Sequence, residues 1–245
     1  VRVFSTVSTP SELIGHIYQA ASDMSCWEEF LHAGCRYFSA PGANFIHLDR
    51  ASPELSLSFI VGFEHADIEL QELVARKQVE LRDKDPRIAY AMENPNKPFR
   101  CTDVMPVQEF HGTRVYRELL QPSGVEHSLM VQYSESPEAF TGLAFLRGPN
   151  DLPFTPDDSI RLGELVPHLR RALAIQRQLS RMDHQMQASY EVLDTLPTGV
   201  AIADDSGLVE FANTVAFDIF NQRDGIELRN RKLYVPARRS EVNLL

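Results

Sequence analysis

From Thr155 to about Leu193 the chain reads as one long helix, and that segment constrains the fold more than any other. Thr155-Pro156-Asp157-Asp158 announces its start: a threonine cap, proline at the first helical position and acids in the first turn. Leu162, Leu165, Leu169, Ala172, Gln176, Leu179, Asp183, Met186, Tyr190 and Leu193 then step by alternating three and four residues, the spacing of a two-stranded seam. The stripe predicts a homodimer through the 155–193 helix, with Gln176 and Asp183 available to set register. Packing of the same stripe on its own domain is the competing expectation for the first half. Pro167 sits inside the pattern and predicts a kink, since its missing N–H and ring clash cost about 3 kcal/mol in a straight helix.

The helix runs into Leu196-Pro197-Thr198-Gly199-Val200 and a second, smaller pattern. There Thr198–Ala203, Leu208–Phe211, Ala212–Phe220, Ile226–Leu228 and Lys232–Val235 read as strand, strand, helix, strand, strand. Asp204-Asp205-Ser206-Gly207 is the hairpin turn between the first two. About fifty residues bury little core alone, so this part should lean on the helix or on a partner. Upstream, helices are expected from Ser8–Glu12 onward, with Thr9 or Ser11 as cap, and over Ser25–Phe38. Strands are expected at Ala43–Leu48, Leu55–Val61, His127–Tyr133 and Ala139–Leu146, and a further helix at Ala66–Leu81. The proline-rich stretch Arg82–Phe110 should cross the sheet as a pocket wall. The fold class is therefore α+β: an antiparallel sheet with flanking helices, a long linker helix and a second small α+β domain.

Charge and cysteine content exclude several classes. The net charge of −10 argues against a nucleic-acid or anionic-membrane surface, although Arg223–Arg239 holds six basic against two acidic residues. That tail either lies beside DNA or is a solvated edge. Cys26, Cys35 and Cys101 form no C-x-x-C pair, which fits a reducing cytoplasm better than a disulfide framework. No apolar run reaches the roughly 18 residues of a spanning helix, so neither membrane anchor nor signal peptide is expected. A Gly-rich phosphate loop, H-E-x-x-H and G-x-S-x-G are all absent from the sequence, and no cofactor or catalytic residue is assigned.

Three constellations remain. His32, Cys35 and Cys26 could approach a metal, or pack as small core residues. Cys101, after Lys97-Pro98-Phe99-Arg100, could be a partly exposed reactive thiol, the basis of a rival reading as a thiol-dependent enzyme. The third is an apolar pocket for a small organic effector lined by Phe45, His47, Phe59, Val61, Tyr90, Phe99, Tyr116, Leu120, Tyr133 and Phe145. The same ten could equally be ordinary core. A solid core at Phe45, Phe59 and Tyr133 would favour a third reading, a ligand-free dimerisation scaffold.

Several spaced motifs together carry a resemblance. They are Leu13-Ile14-x-x-Ile17-Tyr18 with Trp27-x-x-Phe30-Leu31; Asp85-Pro86-Arg87; Tyr116-Arg117-Glu118-Leu119-Leu120-x-Pro122-x-Gly124; Leu165-x-Pro167-His168-Leu169; and Phe211-Ala212-Asn213. In this order the chain resembles the sensor half of bacterial LuxR-type helix-turn-helix transcription regulators, with a GAF-like domain over 8–180 and a PAS-like domain over 190–245. The resemblance implies ligand sensing and DNA binding. The helix-turn-helix is missing from these residues, so DNA contact is implied only through a C-terminal domain outside the chain, into which the natural protein is expected to continue.

Overall fold

A computed structural model describes residues 9–50, 56–62, 76–77, 80–133 and 139–235. Its contacts divide the chain into two units, Val1–Gln178 and Leu179–Leu245.

The first unit opens on α1 (Pro10–Ser22), whose Thr9 cap accepts from the Glu12 N–H while the Glu12 side chain reaches back to the Thr9 N–H. That reciprocal box satisfies two donors the helix cannot pair internally. Helix α2 (Cys26–Tyr37) follows and buries Trp27, Phe30 and Leu31. Five strands form an antiparallel sheet: β1 (Gly42–Asp49), β2 (Leu57–Val61), β3 (Phe99–Arg100), β4 (His127–Tyr133) and β5 (Ala139–Arg147), in the order β2-β1-β5-β4-β3. Strand β5 is thus the middle of the sheet. Between strands lie α3 (Pro86–Glu93), α4 (Cys101–Val104), α5 (Val107–His111) and a π-helical turn at Tyr116–Leu120. Most of the expected Ala66–Leu81 helix, and the turn at 134–138, lie outside the described residues.

Register assigns every strand residue to a face. Phe45 pairs with Phe59 and Leu143, Ala43 with Val61 and Phe145, and Tyr133 with Thr141. Strand side chains alternate, so the odd-numbered residues of β1, β2, β4 and β5 share one face. On it Phe45, Val61, Leu129, Val131, Leu143 and Phe145 join Leu13, Ile17, Trp27 and Phe30 in one buried cluster. Gly34 lets α2 lie flat there, since a Cβ at that position would stand 2.6 Å from the Phe145 ring.

The long helix, α6 (Pro156–Asp194), completes this layer. It starts where the sequence places it: the Thr155 N–H donates to Asp158 at 2.7 Å and the Asp158 N–H to Thr155 Oγ1 at 3.3 Å. Pro167 is exposed and lies within the continuous helix. The expected stripe splits in two. Leu162, Leu165, Leu169 and Ala172 are buried in the first unit's own core, and Gln176 is buried there as the acceptor of the Trp27 indole N–H at 3.2 Å. These five side chains are therefore core contacts, whereas Leu179 and Met186 beyond them are exposed.

The second unit contains the hairpin β6 (Ala201–Ala203) and β7 (Val209–Ala212), helix α7 (Thr214–Gln222), and the hairpin β8 (Glu227–Arg229) and β9 (Lys232–Tyr234). Gly207, at φ 78°, closes the first hairpin's turn, with its N–H donated to Asp204 O. Asn213 organises the unit. Fully buried, it donates to Leu193 O and Thr198 O and accepts from the Val200 and Ala216 N–H groups.

Candidate functional site

The ten residues expected to line a pocket do not surround one space, because the sheet divides them. Phe45, His47, Phe59, Val61, Tyr133 and Phe145 lie on the helix-covered face. Five of them are buried, and Phe59 packs half-buried against the same cluster. Phe45 stacks on Trp27 with ring centroids 4.4 Å apart, and Phe145 meets Phe38 at 4.6 Å. This is a filled core, of the solid kind that the scaffold reading requires.

At its edge lies a polar row. His47 Nδ1 and Thr141 Oγ1 are 2.8 Å apart, and Arg177 reaches Asp49 at 3.2 Å. Burial, reinforced by the Arg177 charge, pushes the His47 pKa below its ordinary value, against a smaller opposing effect of Asp49. Here His47, Leu173, Gln176 and Arg177 enclose a cavity of about 10 Å³. That is room for one water and for no organic molecule.

Tyr90, Phe99, Tyr116 and Leu120 lie towards the other face. Phe99 pairs with Met130 and contacts Tyr90 at 5.0 Å. Tyr116 and Leu120 belong to a second buried cluster with Leu81, Phe110, Val115, Leu119 and Val125, against which Leu146 packs. The Tyr116 hydroxyl donates to Glu126 at 2.5 Å, and His111 Nε2 lies 2.7 Å from the same carboxylate. Tyr116 is pushed up to about 12, chiefly by its hydrogen bond to Glu126. Burial opposes the Glu126 charge, but the hydrogen bonds from Tyr116 and His111 outweigh it and hold its pKa below the ordinary value. Arg87, paired with Asp85 at 2.7 Å and 3.5 Å from Ser128 Oγ, fastens α3 on this side.

The residues that sequence reasoning missed are the even-numbered ones on this second face. Gly142 sits mid-strand in β5, opposite Gln132 on one side and Ile46 on the other. A glycine inside a strand weakens it and often marks a close approach by a ligand or another chain segment. Among the described residues a Cβ there would meet only the Phe140 ring, at 3.4 Å. The neighbouring Gln132 Oε1 is buried with no hydrogen-bond partner among the described residues. An oxygen so placed costs free energy unless something donates to it. Met130, Ile46 and Leu146, all partly buried, supply apolar surroundings.

Cys101 is buried, its thiol 3.9 Å from Glu126 O, so the exposed thiol expected from sequence is not what the fold presents. His32 is exposed while Cys35 packs half-buried against the core. Among the described residues no group of three or more His, Cys, Asp or Glu is placed to hold a metal, and no helix is long and apolar enough to cross a membrane. In the second unit Gly199, Ala201, Ala216, Ile219, Phe220, Ile226 and Leu233 line an open apolar hollow of about 230 Å³.

No protein-family model matches the sequence, and neither does any curated protein. Solved structures do. The VqsR LBD domain from Pseudomonas aeruginosa superposes with a TM-score of 0.51 at 14% identity, over 69% of this chain and 96% of that one. The chain shares that domain's fold. More distant are CepR2 from Burkholderia cenocepacia, titled an N-acylhomoserine lactone dependent LuxR family transcription factor (TM-score 0.44, 14% identity, 66% of this chain and 92% of that one), and Escherichia coli SdiA (0.40, 14%, 70% and 62%).

Proposed function

We propose that the chain is the sensor and dimerisation part of a bacterial LuxR-type transcription regulator, and that it binds a small organic effector on the second face of the sheet. The observation that carries the reading is the fold shared with a domain named for ligand binding, the VqsR LBD. Packing supports the location. One face is closed by α1, α2 and α6 around stacked rings, whereas the other combines a glycine in the middle strand with an unsatisfied carboxamide oxygen. The ligand this face suits has an apolar body against Ile46, Met130 and Leu146 and a hydrogen-bond donor for Gln132 Oε1.

In this reading the GAF-like part spans 8–180 and the PAS-like part 190–245, the protein is cytoplasmic, and two copies pair along α6. DNA binding belongs to a helix-turn-helix domain outside these residues. Effector binding shifts the population of sheet and helix arrangements, which alters how the two copies hold their DNA-binding domains. The chain itself performs no chemistry on the effector. Native mass spectrometry of the purified chain tests this directly: the reading predicts an added small-molecule mass that dissociates on denaturation. No added mass, together with no binding across a panel of small organic molecules, would leave the scaffold reading in its place.

A further inference from the structure

The basic stretch of the sequence begins as a hairpin in the second unit. Strands β8 and β9 pair Glu227 with Tyr234, Leu228 with Leu233 and Arg229 with Lys232, which leaves Asn230 and Arg231 as the turn. Strand side chains alternate, so Leu228 and Leu233 share one face and Glu227, Arg229, Lys232 and Tyr234 the other. The first face is apolar, and Leu233 lines the hollow beside α7. On the second face Arg229, Lys232 and Tyr234 are exposed and Glu227 is partly buried. Backbone bonds hold the tip in place: the Val209 N–H donates to Arg231 O at 2.7 Å and the Leu233 N–H to Gly207 O at 3.1 Å.

Two features of this tip work against hairpin stability. Asn230 and Arg231 both lie at positive φ, 49° and 61°. A two-residue turn of this kind suits asparagine followed by glycine, and an arginine in the second place is strained because its Cβ crowds the backbone. Arg229 and Lys232 stand directly opposite each other, and like charges at such a cross-strand pair repel. Glu227 answers part of this charge, meeting Arg229 and lying 3.8 Å from Arg223. Lys232 lies within reach of the Asp204 charge, but that carboxylate already accepts from the Ser206 and Leu208 N–H groups. The Arg231 side chain has no ion pair among the described residues. Arg229 lies over the Tyr234 ring, 3.9 Å from its centroid, which fixes its guanidinium on the outward face. Local folding rules are broken mainly where a surface has a use. An anion seated against Arg229, Arg231 and Lys232 would relieve the repulsion and account for an arginine in the turn.

We propose that the β8–β9 hairpin is a contact for the phosphate backbone of duplex DNA, with Arg229, Arg231 and Lys232 supplying the charge. The pattern itself fits a polyanion; the choice of DNA rests on the reading above of the chain as part of a transcription regulator. Contacts of this kind position a protein on the duplex without reading its sequence. The chain as a whole carries a net charge of −10, so the contact is weak and confined to the hairpin.

Amide chemical shifts of the isotope-labelled 245-residue chain test this, with a short mixed-sequence DNA duplex as titrant at low salt. Residues 229–232 should shift saturably, and the binding constant should fall with salt at a log–log slope of about −3, three phosphates at roughly −0.9 each. Arg231→Gly gives the turn the residue its backbone favours, so amide exchange in the hairpin should slow while DNA affinity drops several-fold and the slope shrinks by about one. A role confined to folding predicts the slower exchange with unchanged affinity. Lys232→Gln should weaken binding by a similar factor, whereas Arg171→Gln, at an exposed arginine of the first unit, should leave it unchanged. No shift at 229–232, equal losses from Arg231→Gly and Arg171→Gln, or a salt-independent constant would overturn the proposal. A polyglutamate peptide that binds the same amides as tightly as DNA would also overturn it, and would assign the hairpin to an acidic protein. An effector mass on a chain that ignores DNA removes the hairpin contact alone; DNA shifts on a chain that takes up no effector remove the ligand reading alone.

Discussion

His47 makes the first unit's stability depend on pH. Its ring is 5% exposed and shares a hydrogen bond with Thr141, and burial beside Arg177 depresses its pKa. Below about pH 6.5 the unfolded chain takes up a proton that the folded ring resists, so stability is complete above that pH and falls as pH drops towards the lower folded value. The melting temperature should decline between about pH 7 and about pH 5, and His47→Gln should flatten that decline. Trp27 is the chain's single tryptophan and is fully buried, so its fluorescence reports this core alone. Trp27→Phe leaves the buried Gln176 carboxamide without its donor and should cost about 2 kcal/mol in urea unfolding followed by circular dichroism. In the second unit Asn213→Ala removes one helix cap and strips partners from four backbone groups. A loss of about 3 kcal/mol is expected, seen as faster amide exchange at Val200 and Ala216 with the Trp27 signal unmoved.

Individual elements were legible wherever local chemistry decides them. Thr9 and Thr155 cap as their neighbours dictate, the Asp204–Gly207 turn closes its hairpin, and four long strands follow their apolar runs. Where the elements meet was less legible. Alternation within a strand sorts residues between two faces but does not say which face the helices cover. Phe45, Phe59, Tyr133 and Phe145 are large rings in strands, which suits a pocket wall and a packed core equally, and only the register with α2 and α6 decides for the core. Gly142 and Gln132 carry no such bulk, so nothing in their chemistry drew attention; their meaning comes from lying opposite each other across β4 and β5. The long helix was read correctly in extent but given one stripe, since ideal spacing does not reveal that a core ends at Gln176. Packing at α2 offers a direct check. Gly34→Ala would press a methyl group into the Phe145 ring and should destabilise the first unit by about 1–3 kcal/mol in thermal unfolding, without changing helix content.

At the scale of the whole molecule, two units differ in how much core they bury. Among its described residues the first has a main core of some two dozen buried side chains on the helix-covered face and a smaller buried cluster on the other. The second buries Val209, Ala216 and Phe220 around Asn213 and leaves Phe217 and Ile219 half exposed. Among the described residues this core is small, which places the second unit at the low-stability end of the molecule. The central claim is that the effector sits on the second sheet face. Native mass spectrometry of two variants tests it most directly: Gly142→Leu, which puts a bulky side chain on the second face of the middle strand, and Phe59→Leu, which alters the opposite face at the sheet edge. The account predicts that the small-molecule mass carried by the wild-type chain is lost from Gly142→Leu and kept by Phe59→Leu. A Gly142→Leu chain that still carries its ligand would contradict it.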